Sequence, residues 1–180
     1  SYIEAGYTES DEVLFENGID LPASVAEDLH ANLKPLAQQL SIPAFNSSLG
    51  TLSNPKQQRE YLNFYAYLQK LIDAQMYELL QHFFYDENEN PTQLGEETII
   101  IRLADHGEMG MTHGGLRQKA FNVYEETMRV PYIISNPVLF EQGYETNELA
   151  SLVDILPTVA GMVNGIAEAN DLPSIDPPSW

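Results

Sequence analysis

Asp105 and His106 put a carboxylate and an imidazole on adjacent residues, just after a β-branched run, Thr98-Ile99-Ile100-Ile101. Neighbouring oxygen and nitrogen donors can face one hard or borderline cation. The pair also has a plainer reading, an Asp accepting turn N–H groups beside a solvated His, and two donors complete no metal site by themselves. His113 stands seven residues further on, inside Gly110-Met111-Thr112-His113-Gly114-Gly115. In that glycine-studded loop it can orient a substrate anion or simply lie exposed. Lys119 comes next, a point charge suited to an anionic oxygen and otherwise a solvated surface lysine.

The overall charge makes these few cations worth following one by one. The 180 residues carry 27 acids against 8 lysines and arginines, a formal charge of −19. Such a surface repels nucleic acid and anionic lipid, so no nucleic-acid partner is expected. Any anion site must bring its own local positive charge. The chain has no cysteine, which removes disulfides, thiolate ligands and a cysteine nucleophile and leaves the compartment open. With 43% hydrophobic and 19% charged residues it reads as one globular domain over 1–180. No apolar run approaches the ~20 residues of a membrane span.

The elements around these residues can be read from periodicity and punctuation. Thr98 to Ile101 is short and apolar, which predicts a buried strand whose C-terminal end carries Asp105 and His106, the edge where open α/β sheets bind ligands. Arg129-Val130-Pro131 leads to a second apolar run, Tyr132 to Ile134. Upstream, Asn54-Pro55 is a cap followed by proline at the first helical position. Tyr61, Tyr65, Leu68, Ile72, Met76, Leu79 and Phe83 then recur every three or four residues, the apolar face of a long helix expected to lie against the sheet. Asp86 to Pro91 ends it in a polar turn.

Other segments give weaker signals. Ser1 to Leu21 reads as loop, and residues 1–50 as a loop- and helix-rich lead-in. Ser24 with Glu27 three residues on resembles a capping box, predicting a helix from Val25 to Leu40 that Pro35 interrupts. Ser41 to Asn54 is turn-rich, Val138 to Asn147 a loop, and Leu149 to Val153 a candidate short strand. Asp154 caps a predicted helix to about Val163, with Pro157 in its first turn, and the last ten residues carry three prolines. His30 and His82 fall in helical stretches and read as structural or solvent-facing.

Three patterns are dismissed. Asp86, Asn88, Asn90 and Glu97 have calcium-loop spacing, but Pro91 occupies the position that needs glycine. Gly110 to Gly115 has P-loop spacing but continues Leu116-Arg117 where Lys and Ser or Thr are needed, and Thr98 to Gly107 offers no dinucleotide fingerprint.

Taken in order, Ala104-Asp105-His106-Gly107-Glu108, His113-Gly114-Gly115, Lys119, Tyr124-Glu125-Glu126 and Arg129-Val130-Pro131 closely resemble the sulfatase family of the alkaline phosphatase superfamily. Val153-Asp154-Ile155-Leu156-Pro157-Thr158 resembles a helix start of the same family, and the helix with Tyr61, Leu71 and Asp73 resembles the one preceding its central strand. The resemblance is dense over 61–161 and thin in the first 50 residues. It implies an α/β fold, a mixed β-sheet flanked by helices, present as a partial domain. It also implies that Asp105 and His106 are metal ligands for one divalent cation, usually calcium, with manganese or magnesium as alternatives. Lys119 matches the lysine that binds the sulfate group and supports the leaving oxygen. His113 matches a loop histidine at the substrate, and Arg129 is expected to pair with a carboxylate.

One departure weighs against these agreements. The family carries its nucleophile near the N-terminus in Cys/Ser-x-Pro-x-Arg, where Cys or Ser becomes formylglycine. Here Ser41-Ile42-Pro43-Ala44-Phe45 has the Ser-x-Pro but carries Phe45 where arginine belongs, and it falls at the wrong place in the order. The expectation is therefore the C-terminal part of a sulfatase-like catalytic domain acting on small-molecule or glycan sulfate esters. The fragment would be inactive alone, with the N-terminal part of the same domain as its partner. Two alternatives stand beside it: a phosphodiesterase or phosphonate hydrolase of the same superfamily, and a non-catalytic acidic binding module.

Overall fold

In the computed structural model, residues 19–169 are described. The loop expected over Ser1 to Leu21 falls mostly outside them, as do the proline-bearing last ten residues. Two compact units divide between Glu141 and Gln142.

In the first unit the helix predicted over 25–40 is displaced. Residues 23–33 form turns, and the first helix, α1, runs Leu36–Leu49. Pro35 does not interrupt a helix; it precedes one, with φ −52° and ψ 140° at the N-cap. A proline's fixed φ and missing N–H suit a helix start. The supposedly turn-rich 41–49 is helical in turn, carrying Pro43 inside, and stops at Gly50, whose φ of 82° is left-handed.

The long helix, α2, spans Pro55–Phe84. Asn54 accepts from the Gln57 N–H at 3.1 Å, and the Gln57 side chain reaches back to the Ser53 N–H at 2.7 Å. These bonds satisfy two donors at the start of the helix. The expected burial of its apolar face is confined to the first turns, where Leu62 and Asn63 are buried. Tyr65, Ile72, Leu79 and Phe83 are exposed. Length explains the difference: thirty residues of helix reach ~45 Å, whereas four-residue strands span only ~13 Å.

The helix ends at a turn in which Asp86 Oδ1 accepts from the N–H groups of Asn88 and Asn90. A short helix, α3 (Gln93–Glu97), comes before the strand and was not foreseen; the Thr92 hydroxyl caps it by accepting from Gly95 N–H. β1 is Ile100–Leu103. It pairs antiparallel with β2, Tyr132–Ser135, in register Ile100↔Ser135 to Leu103↔Tyr132. β1 is not the buried strand expected: its two isoleucines are half-buried, and Arg102 and Leu103 are exposed. With two strands in the sheet among the described residues, both are edges there, and exposed positions on each show that neither is covered on both faces.

Between the strands lie one turn, α4 (Thr112–Gly115), with left-handed His113 and Gly114, and one short helix, α5 (Glu125–Met128). This connection supplies the core. Met109 and Leu116 are fully buried, packed with Leu29, and Ile42 and Tyr124 close around them. Asn136, after β2, is buried and fully bonded, donating to the carbonyls of Glu96 and Thr98 and accepting from the N–H groups of Val138 and Leu139.

In the second unit, residues 149–151 are irregular and Leu152–Asp154 form a 3₁₀ turn, so the candidate strand there is absent. Leu149 and Val153 are exposed and have no strand to pair with. α6 runs Ile155–Ala169, beyond the expected end near Val163, with the Thr158 hydroxyl donating to the Asp154 carbonyl. No helix among the described residues is long and apolar enough to cross a membrane.

Truncating the core methionine, Met109→Ala, should cost about 2–5 kcal/mol of unfolding free energy, the usual range for a buried Met. Val123→Ala, at a side chain 82% exposed, should stay within about 0.5 kcal/mol. Urea denaturation of the two variants checks both values.

Candidate active site

β1 ends at Leu103, and the chain delivers Asp105 and His106 immediately past it. Asp105 Oδ1 accepts the His106 backbone N–H at 3.0 Å, which fixes the carboxylate, and Oδ2 lies 3.1 Å from His106 Nε2. The other ring nitrogen, Nδ1, is 2.9 Å from the Gly107 carbonyl. A carbonyl can only accept, so Nδ1 carries the hydrogen. Nε2 then either holds a lone pair or, in the imidazolium, a second hydrogen. With a lone pair, two acceptors face each other across 3.1 Å. Only a proton or a cation between them makes that contact favourable. Donors each ~2.3 Å from one ion and at right angles stand ~3.2 Å apart, close to what is found. The spacing of the pair is compatible with a divalent cation between its two donors. Among the described residues no three His, Asp or Glu side chains converge tightly enough to hold an ion unaided.

Gly107 is the pivot of the loop. Its N–H donates to the Thr127 carbonyl at 2.8 Å, and a Cβ built there would fall 2.0 Å from the Glu126 carbonyl oxygen. The backbone therefore presses directly on the start of α5, and no side chain can be admitted. Next, Gly110, Met111, His113, Gly114 and Gly115 all have positive φ, from 48° to 83°. For Met111 and His113 this conformation carries strain that the surroundings must offset.

His113 is held on every side. Its N–H donates to Ser24 Oγ at 3.1 Å, its Nδ1 lies 2.8 Å from Glu27 Oε2, and its Nε2 lies 3.6 Å from Glu126 Oε2. Tyr124 stacks on the ring at 3.7 Å between centroids, 7° from parallel. Lys34 completes the cluster, 3.3 Å from Glu27 Oε1 and over the Tyr124 ring. Bonds from Asn32, then from His113 and Lys34, hold the Glu27 carboxyl down at about 2, against burial that raises it. Tyr124 and then Glu27 raise Lys34 above the ordinary lysine value.

Lys119 is half-buried and makes no ion pair among the described residues. Burial pushes the Glu108 carboxyl up, while the Gly110 N–H, Lys119, the Met109 N–H and His106 pull it back. Desolvation, with a smaller contribution from Glu108, raises Tyr65 as well. His113 belongs to the clamp, with its ring nitrogens facing Glu27 and Glu126.

Arg117 carries a role that spacing did not reveal. It is 4% exposed, and its Nη2 lies within reach of the Gly50 carbonyl at 2.6 Å, Asn46 Oδ1 at 2.9 Å and the Phe45 carbonyl at 3.4 Å. A guanidinium here closes the C-terminal end of α1, where unpaired carbonyls concentrate negative charge. Arg129 is exposed and, among the described residues, pairs with no carboxylate; its N–H donates to Glu125 O. Ser41, the serine of the misplaced Ser-x-Pro, is buried in α1 with its hydroxyl donating to Gln38 O at 2.6 Å. His30 lies in a turn and not in a helix, and His82 sits on α2 edge-on to Phe83.

A structural neighbour shares this fold. A crystal structure of a protein assigned as a sulfatase, from Bacteroides thetaiotaomicron, superposes with a TM-score of 0.64 at 23% identity, covering 80% of this chain and 30% of that one. The fold is the alkaline-phosphatase-like one of the sulfatases, present as a partial domain. The Sulfatase family profile matches residues 90–166, the stretch that carries both strands and the Asp105–His106 pair, so this part of the chain is similar to the sulfatase family.

Curated relatives agree. A Delta 4,5-hexuronate-2-O-sulfatase of Bacteroides thetaiotaomicron is 28% identical over 63% of this chain and 22% of its own length. Arylsulfatase K of Bos taurus is 36% identical over 37% of this chain and 12% of its own. An ulvan-active sulfatase of Formosa agariphila is 37% identical over 39% and 14%. The chain therefore spans about a fifth or less of these relatives.

Two outcomes test this geometry. The Glu27 carboxyl, depressed to about 2 from an ordinary 4.5, contributes stability that is complete above pH ~5 and lost as pH falls toward 2. Urea midpoints measured across that window should fall more steeply for the parent than for Glu27→Gln. Gly107→Ala must displace backbone, and should lower unfolding free energy by about 3 kcal/mol or more in the same assay.

Proposed function

We propose that this chain is the metal- and leaving-group-binding part of a sulfuric ester hydrolase. The observation that carries the reading is the Asp105–His106 pair, whose donor atoms stand 3.1 Å apart. Asp105 and His106 would hold one divalent cation, calcium before manganese or magnesium. When bound, such an ion supplies Lewis acidity toward the sulfuryl oxygens.

The chain's own residues do the rest. The bond from Nδ1 to Gly107 O turns the His106 ring so that Nε2 faces the Asp105 carboxylate. Lys119, half-buried and free of an ion pair among the described residues, neutralises charge on the departing oxygen. His113 has both ring nitrogens turned to carboxylates. That is unsuited to receiving an anion directly, so His113 serves the site by fixing the loop between His106 and Lys119. No cysteine is present, and Ser41 is buried in a helix. The nucleophile, a formylglycine by family resemblance, is therefore proposed to come from sequence other than this chain. The substrates proposed are glycan or small-molecule sulfate esters, in keeping with the hexuronate and ulvan relatives.

The deciding experiment has two parts. Intact mass and N-terminal sequencing of the native polypeptide should find an upstream Cys/Ser-x-Pro-x-Arg. That polypeptide should hydrolyse an aryl sulfate faster than a matched phosphodiester, and Lys119→Ala should lower kcat by about 10²–10³-fold. A faster phosphodiester rate would reassign the chemistry within the superfamily. Turnover by the 180-residue chain alone would refute the missing-nucleophile reading.

A further inference from the structure

Glu108 lies two residues beyond His106, and its Oε1 is buried with no hydrogen-bond partner, the one such side-chain atom among the described residues. Leaving a polar atom in that state is costly, and more so for a charged group. Native structures rarely keep one unless a donor arrives in the working state. The surroundings are not an apolar void: Lys119, His106 and two backbone N–H groups act on the same carboxylate.

We infer that Glu108 Oε1 is the acceptor for a water molecule in the coordination shell of the cation held by Asp105 and His106. The inference rests on the metal-site reading above and extends it to a residue that reading does not use. Glu108 is not a direct ligand, because no three acidic or imidazole side chains among the described residues converge on one point. An ion gripped by two protein donors completes its shell with water or further groups, and coordination makes the hydrogens of that water strong donors. A buried oxygen two residues along the chain from His106, lacking any donor, is the complement such a water needs. The competing role is a salt-bridge acceptor for Lys119. In the present arrangement Lys119 makes no bond to Oε1, although its charge is near enough to act on the carboxylate.

Calorimetric titration of the native polypeptide, upstream segment included, with Ca²⁺ and with Mn²⁺ separates these roles. Glu108→Gln should weaken ion binding about 10–100-fold, the usual effect of losing a group that supports a metal ligand through hydrogen bonding. The same weakening should persist in a Lys119→Met background. In EDTA, Glu108→Gln should be as stable to urea as the parent or more so, since Oε1 makes no hydrogen bond that the change would remove. Unchanged ion affinity overturns the inference. A weakening that vanishes with Lys119→Met assigns Oε1 to the lysine and overturns it too, as does a loss of ion-free stability, which marks a structural role. A parent chain that binds neither ion defeats the metal-site reading itself, and the inference with it. Ion binding by the parent that is lost in Asp105→Asn but not in Glu108→Gln leaves the site standing and removes only Glu108.

Discussion

The segment from Gly107 to Leu116 has to be core and site at once, and most of the first unit follows from that demand. Met109 and Leu116 are fully buried, and they bracket a run of left-handed residues with polar groups on the other side. Burying two large side chains within eight residues fixes the loop far more firmly than its hydrogen bonds could in isolation. The strain of positive φ at Met111 and His113 is held by that packing. Glycine is needed at 107 for a different reason, since the backbone of α5 passes too close for any Cβ.

The clamp around His113 shows how residues far apart in sequence are recruited to such a loop. Ser24 and Glu27 were legible as a helix-capping pair, and both indeed accept hydrogens in the manner of a capping box. Their donors, however, are the N–H and Nδ1 of His113, almost ninety residues downstream. A capping signal states only that two acceptors are oriented for neighbouring donors. Whether those donors belong to a helix or to a distant loop is settled by tertiary packing. Displaced from 25–34, the helix begins where Pro35 permits it.

What the sequence made plain was whatever depended on nearest neighbours. The Asn54-Pro55 start of α2 and the polar stop after Phe84 needed only local chemistry. So did the Asp105–His106 position at a strand's end. The β-branched run was legible as a strand, but its burial was not, because burial depends on how many strands lie beside it. Arg117 and Asn136 escaped notice for a related reason. Their partners, the carbonyls of Gly50 in one case and of Glu96 and Thr98 in the other, are backbone atoms that any residue could provide and no motif records. The family resemblance supplied what spacing could not, a role for Lys119 at the sulfate group, since a lone lysine in a sequence reads equally well as solvated surface.

The uncovered side of α2 has a consequence for how this chain behaves in bulk solution. Ile72, Leu79 and Phe83 present a sticky strip to solvent, and what keeps copies apart is the mutual repulsion of molecules bearing a formal charge of −19. That colloidal barrier is electrostatic in origin, so it thins as added salt shortens the screening length from ~30 Å at 10 mM to ~3 Å at 1 M. It disappears near the isoelectric point of about 4.2, where nothing offsets the attraction between strips. Dilute salt and neutral pH are accordingly the conditions in which the chain stays dispersed.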